Sequence, residues 1–177
     1  NKIDVALVDE RWVDIDHAGS NEAFVNRTLL QNNAVGAKLI GMKNGSASAL
    51  EGLAACEADF TTLTQPFDVT ILGMGPDGHT ASFFPHSDGL EKALDESASE
   101  LCAAIMATKS AVTGDNLERM TLSLAGLLKS KEVKLLISGE EKLAVLRQAE
   151  QVGDVADMPL RAVLRQTTVP VTIYWAP

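Results

Sequence analysis

Short apolar runs alternate along this chain with segments whose apolar residues recur at helical spacing. That alternation limits the fold more than any other feature. Residues 3–8 and 67–72 read as buried strands, and residues 38–41, 101–107, 120–124, 133–137 and 171–175 as further strands. Between them, residues 21–31 read as a helix capped by Ser20 or Asn21, with Phe24, Thr28 and Leu29 near one face. Residues 46–60 place Ala49, Leu50, Leu53, Ala54 and Ala58 at helical spacing, and residues 90–94 and 124–130 suggest two short helices. Ser138 and Glu141 stand at capping-box spacing ahead of a helix that runs to about Ala149. Strands alternating with helices predict an α/β fold: a Rossmann-like, mainly parallel sheet with helices on both faces and room for a small appended subdomain.

Ligands of such sheets bind beyond the carboxyl ends of the strands. The polar clusters at Asp9–Arg11, Gly73 to Thr80 and Ser138 to Lys142 each follow a strand directly, so they are expected to meet on one edge. With 177 residues and 46% hydrophobic content, the chain suffices for one well-buried domain over residues 1–177. It opens on Asn1 and enters a strand almost at once, which suggests a domain truncated at its N-terminus.

The net charge of −9 argues against nucleic acid as a partner. It also means that a pocket for an anionic ligand must be built from a few local cations and backbone N–H groups. No apolar run approaches the ~18–20 residues of a membrane span, and no signal peptide precedes the first strand. Cys56 and Cys102 sit among alanines and form no metal-binding spacing, so they read as buried free thiols of a reducing compartment. The expectation is a cytoplasmic protein, a monomer or weak homo-oligomer, with neither nucleic acid nor membrane as partner.

The strongest local signal is Gly73-Met74-Gly75-Pro76-Asp77-Gly78-His79-Thr80. Gly73, Gly75 and Gly78 have the spacing of a dinucleotide-binding turn. That fingerprint also wants an acid about 20 residues on at a strand end, and Glu91 and Asp95 fall in a helical or loop stretch. Pro76 and Asp77 also suit such a turn poorly, so a nicotinamide cofactor is set aside. Three glycines instead allow a sharp turn whose N–H groups form an anion-binding nest, with Gly75 and Gly78 as binding candidates. His79 follows at once, near an expected helix N-terminus whose dipole disfavours the imidazolium. A neutral imidazole is the state a general base requires. Asp77 is placed to orient the ring.

Asp9-Glu10-Arg11-Trp12 forms a second cluster, in which Arg11 offers a planar fork suited to a phosphate or carbonyl oxygen. Asp9 belongs to the same candidate site, and Trp12 reads as core. Lys142 lies in the first turn of its helix, against the dipole preference, which suggests that it serves an anion there. Arg119, ahead of a strand, is a weaker cation candidate. Asp14, Asp16 and His17 read as a solvated loop rather than a metal site, and His86 has no evident partner.

Taken together, Asp9-Glu10-Arg11-Trp12-Val13, Ser20-Asn21, and the glycine-rich turn continuing through Ala81-Ser82-Phe83-Phe84-Pro85 resemble the 6-phosphogluconolactonase family, as do Arg119-Met120-Thr121-Leu122 and Gly139-Glu140-Glu141-Lys142. The resemblance runs over essentially the whole chain. It implies the fold shared with glucosamine-6-phosphate deaminase and ribose-5-phosphate isomerase relatives. It implies hydrolysis of 6-phospho-D-glucono-1,5-lactone to 6-phosphogluconate in the oxidative pentose phosphate pathway, with no cofactor and a small sugar-phosphate lactone as the partner. By the same carry-over, His79 activates water, Asp77 supports it, and Arg11 and Lys142 hold the phosphate or the developing charge. The family's earlier Gly-Gly-Ser-Thr-Pro-like phosphate loop has no counterpart in these 177 residues.

Two other functions compete. Glucosamine-6-phosphate deaminases share the Asp-Gly-His core but follow it with Phe-Asn-Glu-Pro where this chain has Ala81-Ser82-Phe83-Phe84-Pro85. A non-catalytic sugar-phosphate binding module is the second alternative, suggested by the missing loop.

Overall fold

Three of the five strand pairings are parallel and two antiparallel, so the sheet predicted as one unit divides into three. The structure is a computed structural model that describes residues 3–177. Strand β1 (Asp4–Ala6) pairs in parallel with β3 (Lys38–Ile40). Strands β4 (Thr70–Leu72), β7 (Val133–Ser138) and β8 (Val171–Ala176) form a parallel sheet in the order β4-β7-β8. The antiparallel sheet has the order β2-β6-β5, from β2 (Asp9–Arg11), β6 (Glu118–Leu122) and β5 (Cys102–Met106).

The antiparallel sheet corrects the first expectation about the polar clusters. Asp9–Arg11 is not the loop after a strand but a strand itself, in register with Arg119 to Thr121. The alternation of a buried Glu10 between half-exposed Asp9 and Arg11 is the period-2 pattern of a strand with one face in the core. The run expected as a buried first strand is narrower and half exposed, with Ile3 at 62% exposure.

Helix α1 (Asn21–Thr28) starts as its composition predicts: the Ser20 hydroxyl accepts from Ala23 N. It stops at Thr28, and its expected apolar face is absent, since Phe24 and Leu29 are exposed and no residue of the helix is fully buried. Helix α2 (Ala49–Thr61) is capped by Ser48 and buries Ala49, Gly52, Cys56 and Phe60, while Leu50 faces outward. Gly52 is required there because a Cβ would lie 2.3 Å from the Trp12 ring, so the helix and that core indole pack backbone to ring.

Two further helices, α3 (Leu90–Ala93) and α4 (Leu124–Leu127), are single turns. Helix α5 (Glu140–Ala149) follows β7, and α6 (Leu160–Arg165), which the sequence did not signal, packs behind the glycine-rich turn. Ser138 does not cap α5: it ends β7, Gly139 takes the N-cap position at φ 85°, and no side chain caps the helix. One core cluster links most of these elements, with Phe60, Phe83, Met120, Leu135 and Leu160 fully buried. Among the described residues, no helix is long and apolar enough to cross a membrane.

Candidate active site

The glycine-rich turn leaves β4 at its carboxyl end, and α5 leaves the neighbouring strand β7 at the same end. Parallel pairing of Leu72 with Leu135 therefore sets the His79 turn beside the start of α5, as the sequence predicts for a doubly wound sheet.

The turn is tied off internally. Gly75 N donates to His79 O at 2.9 Å, Gly78 N donates to Gly75 O at 3.1 Å, and the Thr80 hydroxyl donates to Gly73 O. The amides of Gly75 and Gly78 are thus spent on the turn, which corrects their assignment as an anion nest. Their glycine character serves geometry instead. A Cβ on Gly75 would stand 2.1 Å from His79 Cε1 and Nδ1, so the ring lies over this backbone only because no side chain is there. Gly78 holds φ 77°, a left-handed conformation with Met158 packed against it, and Gly78 O accepts from Leu160 N at the start of α6.

His79 Nδ1 lies 2.5 Å from Asp77 Oδ1. A carboxylate only accepts, so Nδ1 carries a proton, and in the neutral ring it is Nε2 that presents the lone pair. Asp77 Oδ1 also accepts from His79 N at 3.2 Å. Burial works to raise the Asp77 carboxyl, but the hydrogen bond from the His79 ring, the charge of that ring and two backbone amides outweigh it and hold the group below its ordinary value. No helix begins behind His79: the chain runs through turns to α3, so the expected dipole effect is absent and Asp77 does the orienting. The imidazole rests against Phe84, with ring centroids 4.5 Å apart.

From His79 the backbone reaches Ala81, at φ 50°, an uncommon conformation for a residue with a Cβ. This turns the fully buried Ser82 toward β2, where its hydroxyl donates to Asp9 Oδ2 at 2.7 Å. Asp9 and Arg11 face the same side of β2, and both bond to Asn21: Asn21 Nδ2 donates to Asp9 O at 2.8 Å and Asp9 Oδ1 at 3.3 Å, and Arg11 Nη1 donates to Asn21 Oδ1. Asp9, Arg11 and the His79 turn are therefore joined through Ser82 and Asn21, neither of which sequence reasoning assigned to the site.

Glu10, on the other face of β2, is wholly buried and accepts four hydrogen bonds: from Arg11 N, Asn21 N, Glu22 N and the Ser20 hydroxyl. It caps the first turn of α1 from a different element. This long-range cap left no local spacing signal for the sequence to show.

One predicted cation differs from expectation. Arg119 stands opposite Arg11 across the β2–β6 ladder but is buried, its guanidinium donating to the carbonyls of Asn116 and Thr113 and lying 5.5 Å from the Phe84 ring. Burial first, and then repulsion by Arg11, lower its pKa to about 10, so it remains charged at neutral pH. These contacts make it a support for Phe84 and the loop of residues 113–116, where the sequence offers it as a weaker cation candidate for the substrate. Lys142 is half-buried in the first turn of α5, where its donors have no hydrogen-bond or ion-pair partner among the described residues. His86, expected to be alone, has Nε2 2.9 Å from Asp157 Oδ1. No group of His, Cys, Asp and Glu able to hold a metal occurs among the described residues. Trp12 is core, as expected, and donates to Ser46 O.

Comparison with known proteins gives the family. The family model described as glucosamine-6-phosphate isomerases/6-phosphogluconolactonase matches residues 1–175. A 6-phosphogluconolactonase of Pseudomonas aeruginosa is 41% identical over 177 residues, covering 100% of this chain and 71% of the relative. One of Rhizobium meliloti is 38% identical over the same length, covering 74% of that relative. The crystal structure of a 6-phosphogluconolactonase from Shewanella baltica superposes with a TM-score of 0.91 at 42% identity, over 98% of this chain and 72% of that one. The chain belongs to the glucosamine-6-phosphate isomerase/6-phosphogluconolactonase family.

Proposed function

We propose that this chain is a cytoplasmic hydrolase of the oxidative pentose phosphate pathway that opens 6-phospho-D-glucono-1,5-lactone to 6-phosphogluconate, with His79 as general base. The observation that carries the reading is the His79–Asp77 pair: Nδ1 is engaged at 2.5 Å, and the Nε2 lone pair is left for a water proton. The side chain is 20% exposed, enough to meet solvent while keeping its orientation. The 6-phosphogluconolactonases at 41% and 38% identity support the substrate.

In this mechanism water bonds to the C1 carbonyl carbon as its proton passes to His79 Nε2. The tetrahedral oxyanion collapses, the bond from C1 to the ring oxygen breaks, and the imidazolium returns its proton to that oxygen. The acid formed then ionises and releases one proton to solvent. Asp77 stays ionised throughout and offsets the imidazolium charge. Arg11 and Lys142 are assigned to the phosphate or the oxyanion. Chemistry of this kind needs water, a base and charge stabilisation, and requires no cofactor.

The lactonase reading is favoured over deamination because Ala81 and Ser82 follow the histidine where the sister enzymes use Phe-Asn-Glu-Pro, so the carboxyl group of that block is absent. The test follows acid release from freshly made lactone above its spontaneous hydrolysis. Wild-type protein is expected to accelerate release, and His79→Ala to lose roughly 10²–10⁴-fold of that rate. An unchanged rate in His79→Ala refutes the mechanism, and ammonia release from glucosamine 6-phosphate supports the sister activity instead.

A further inference from the structure

Asp9 and Arg11 present opposite charges on one side of a three-residue strand, two positions apart, within reach of a direct ion pair. Among the described residues that pair is not formed, and Arg11 has no carboxylate partner. Asn21 stands between them. Its Oδ1 accepts from Arg11 Nη1, and its Nδ2 donates to Asp9 O and Oδ1. An acceptor-only carboxylate on one side and a donor-only guanidinium on the other fix which way the amide points. Only a side chain with both a donor and an acceptor at its tip can serve both neighbours at once.

The amide itself is held from behind. Asn21 is the first residue of α1, and its backbone N–H donates to the buried Glu10 at 2.7 Å, as does Glu22 N at 2.8 Å. Asp9 is held from the other side by the Ser82 hydroxyl at 2.7 Å. The spacing of the two charges is thereby set by three elements, β2, α1 and the loop that carries His79.

We propose that Asn21 is a positioning residue that keeps Arg11 from collapsing onto Asp9, so that the remaining donors of its guanidinium stay available to the anionic substrate. The inference rests on the assignment of Arg11 to substrate charge made above. Asn21 acts through Arg11 and does not itself meet the reacting atoms. Removing the amide frees Arg11 to pair with Asp9, and the cost falls on substrate affinity.

The test measures equilibrium binding of 6-phosphogluconate by titration calorimetry, alongside KM and kcat for the lactone. Arg11→Ala is expected to weaken binding markedly and so to validate the premise. Asn21→Ala is expected to weaken binding about tenfold, with the loss in KM rather than kcat. Asn21→Asp keeps the shape but replaces the donor with an acceptor beside Asp9 and adds a carboxylate against Arg11. It is expected to weaken binding at least as much, and it decides the matter if Asn21→Ala does not fold. The decisive variant is Asn21→Ala combined with Asp9→Asn. With no carboxylate to collapse onto, Arg11 is expected to recover most of the lost affinity, whereas a merely structural Asn21 makes the double variant worse than either single one. Wild-type affinity in Asn21→Asp, or no recovery in the double variant, overturns the inference and leaves the role of Arg11 standing. Wild-type affinity in Arg11→Ala overturns both.

Discussion

At the scale of single residues, His79 and Gly75 cannot be considered separately. The imidazole occupies the space that a Gly75 Cβ would take, 2.1 Å away. Gly75→Ala is therefore expected to tilt the ring off Asp77 and cut kcat by roughly 100-fold, and to lower the melting temperature as well, since Gly75 is buried. Lactone kinetics with a melting curve checks this. Asp77 links the same pair to pH. Its folded pKa is depressed, so its contribution to stability is present above its unfolded value of about 3.9 and is lost as pH falls through the lower folded value. Urea unfolding of wild type and Asp77→Asn is expected to differ at neutral pH and to converge in strong acid. Most of this pair was legible in sequence: a histidine two residues after an aspartate in a glycine-rich turn leaves few arrangements. What was not legible was the use of the glycine amides, because the backbone bonds that consume them depend on how tightly the turn closes.

At the scale of elements, the notable joint is between β2 and α1. A capping box lies within one segment and can be read from spacing. Glu10 instead caps α1 across eleven to twelve residues of loop and helix start. Glu10→Gln keeps the volume but turns an acceptor into a donor among groups that already donate, and about 1–3 kcal/mol of stability is the expected loss. Equilibrium urea unfolding checks it, and an exposed Glu51→Gln on α2 serves as control with a change under about 0.5 kcal/mol. The reverse error occurred at α5, where Ser138 and Glu141 have the right spacing but β7 claims Ser138 through its pairing with Ala176. Ladder hydrogen bonds outcompeted a local cap. The same competition drew Asp9–Arg11 into a strand against Arg119 to Thr121, a partner more than a hundred residues away.

At the scale of the whole molecule, one core cluster joins α2 to both the antiparallel and the parallel sheets. Cys56 on α2 and Cys102 on β5 meet inside it, with sulfurs 3.7 Å apart and both thiols free. The hydrogen bond with Cys56 and then burial push the Cys102 thiol well above its ordinary range. Both cysteines are therefore expected to resist a thiol-specific reagent in the folded protein and to react only at the rate of global opening. Labelling kinetics across a urea series checks this, and fast labelling in the absence of denaturant contradicts it. The same core makes Phe60, wholly buried on α2, an expensive position: Phe60→Ala is expected to cost about 3–5 kcal/mol.

The sequence by itself determined the α/β class, most element positions and the identity of the His79 turn, because periodicity, capping serines and glycine spacing act over a few residues. It also marked Asp9, Arg11, Arg119 and Lys142 as charges at strand or helix ends. Only the tertiary structure decided which of those charges stay free: Arg119 is consumed by the carbonyls of Asn116 and Thr113, while Arg11 is parted from Asp9 by the amide of Asn21. The physical reason is range. A side chain's nearest partner in space is set by strand register and helix placement, and Asn21, Ser82 and Glu10 reach their partners across distances in sequence that no local pattern encodes.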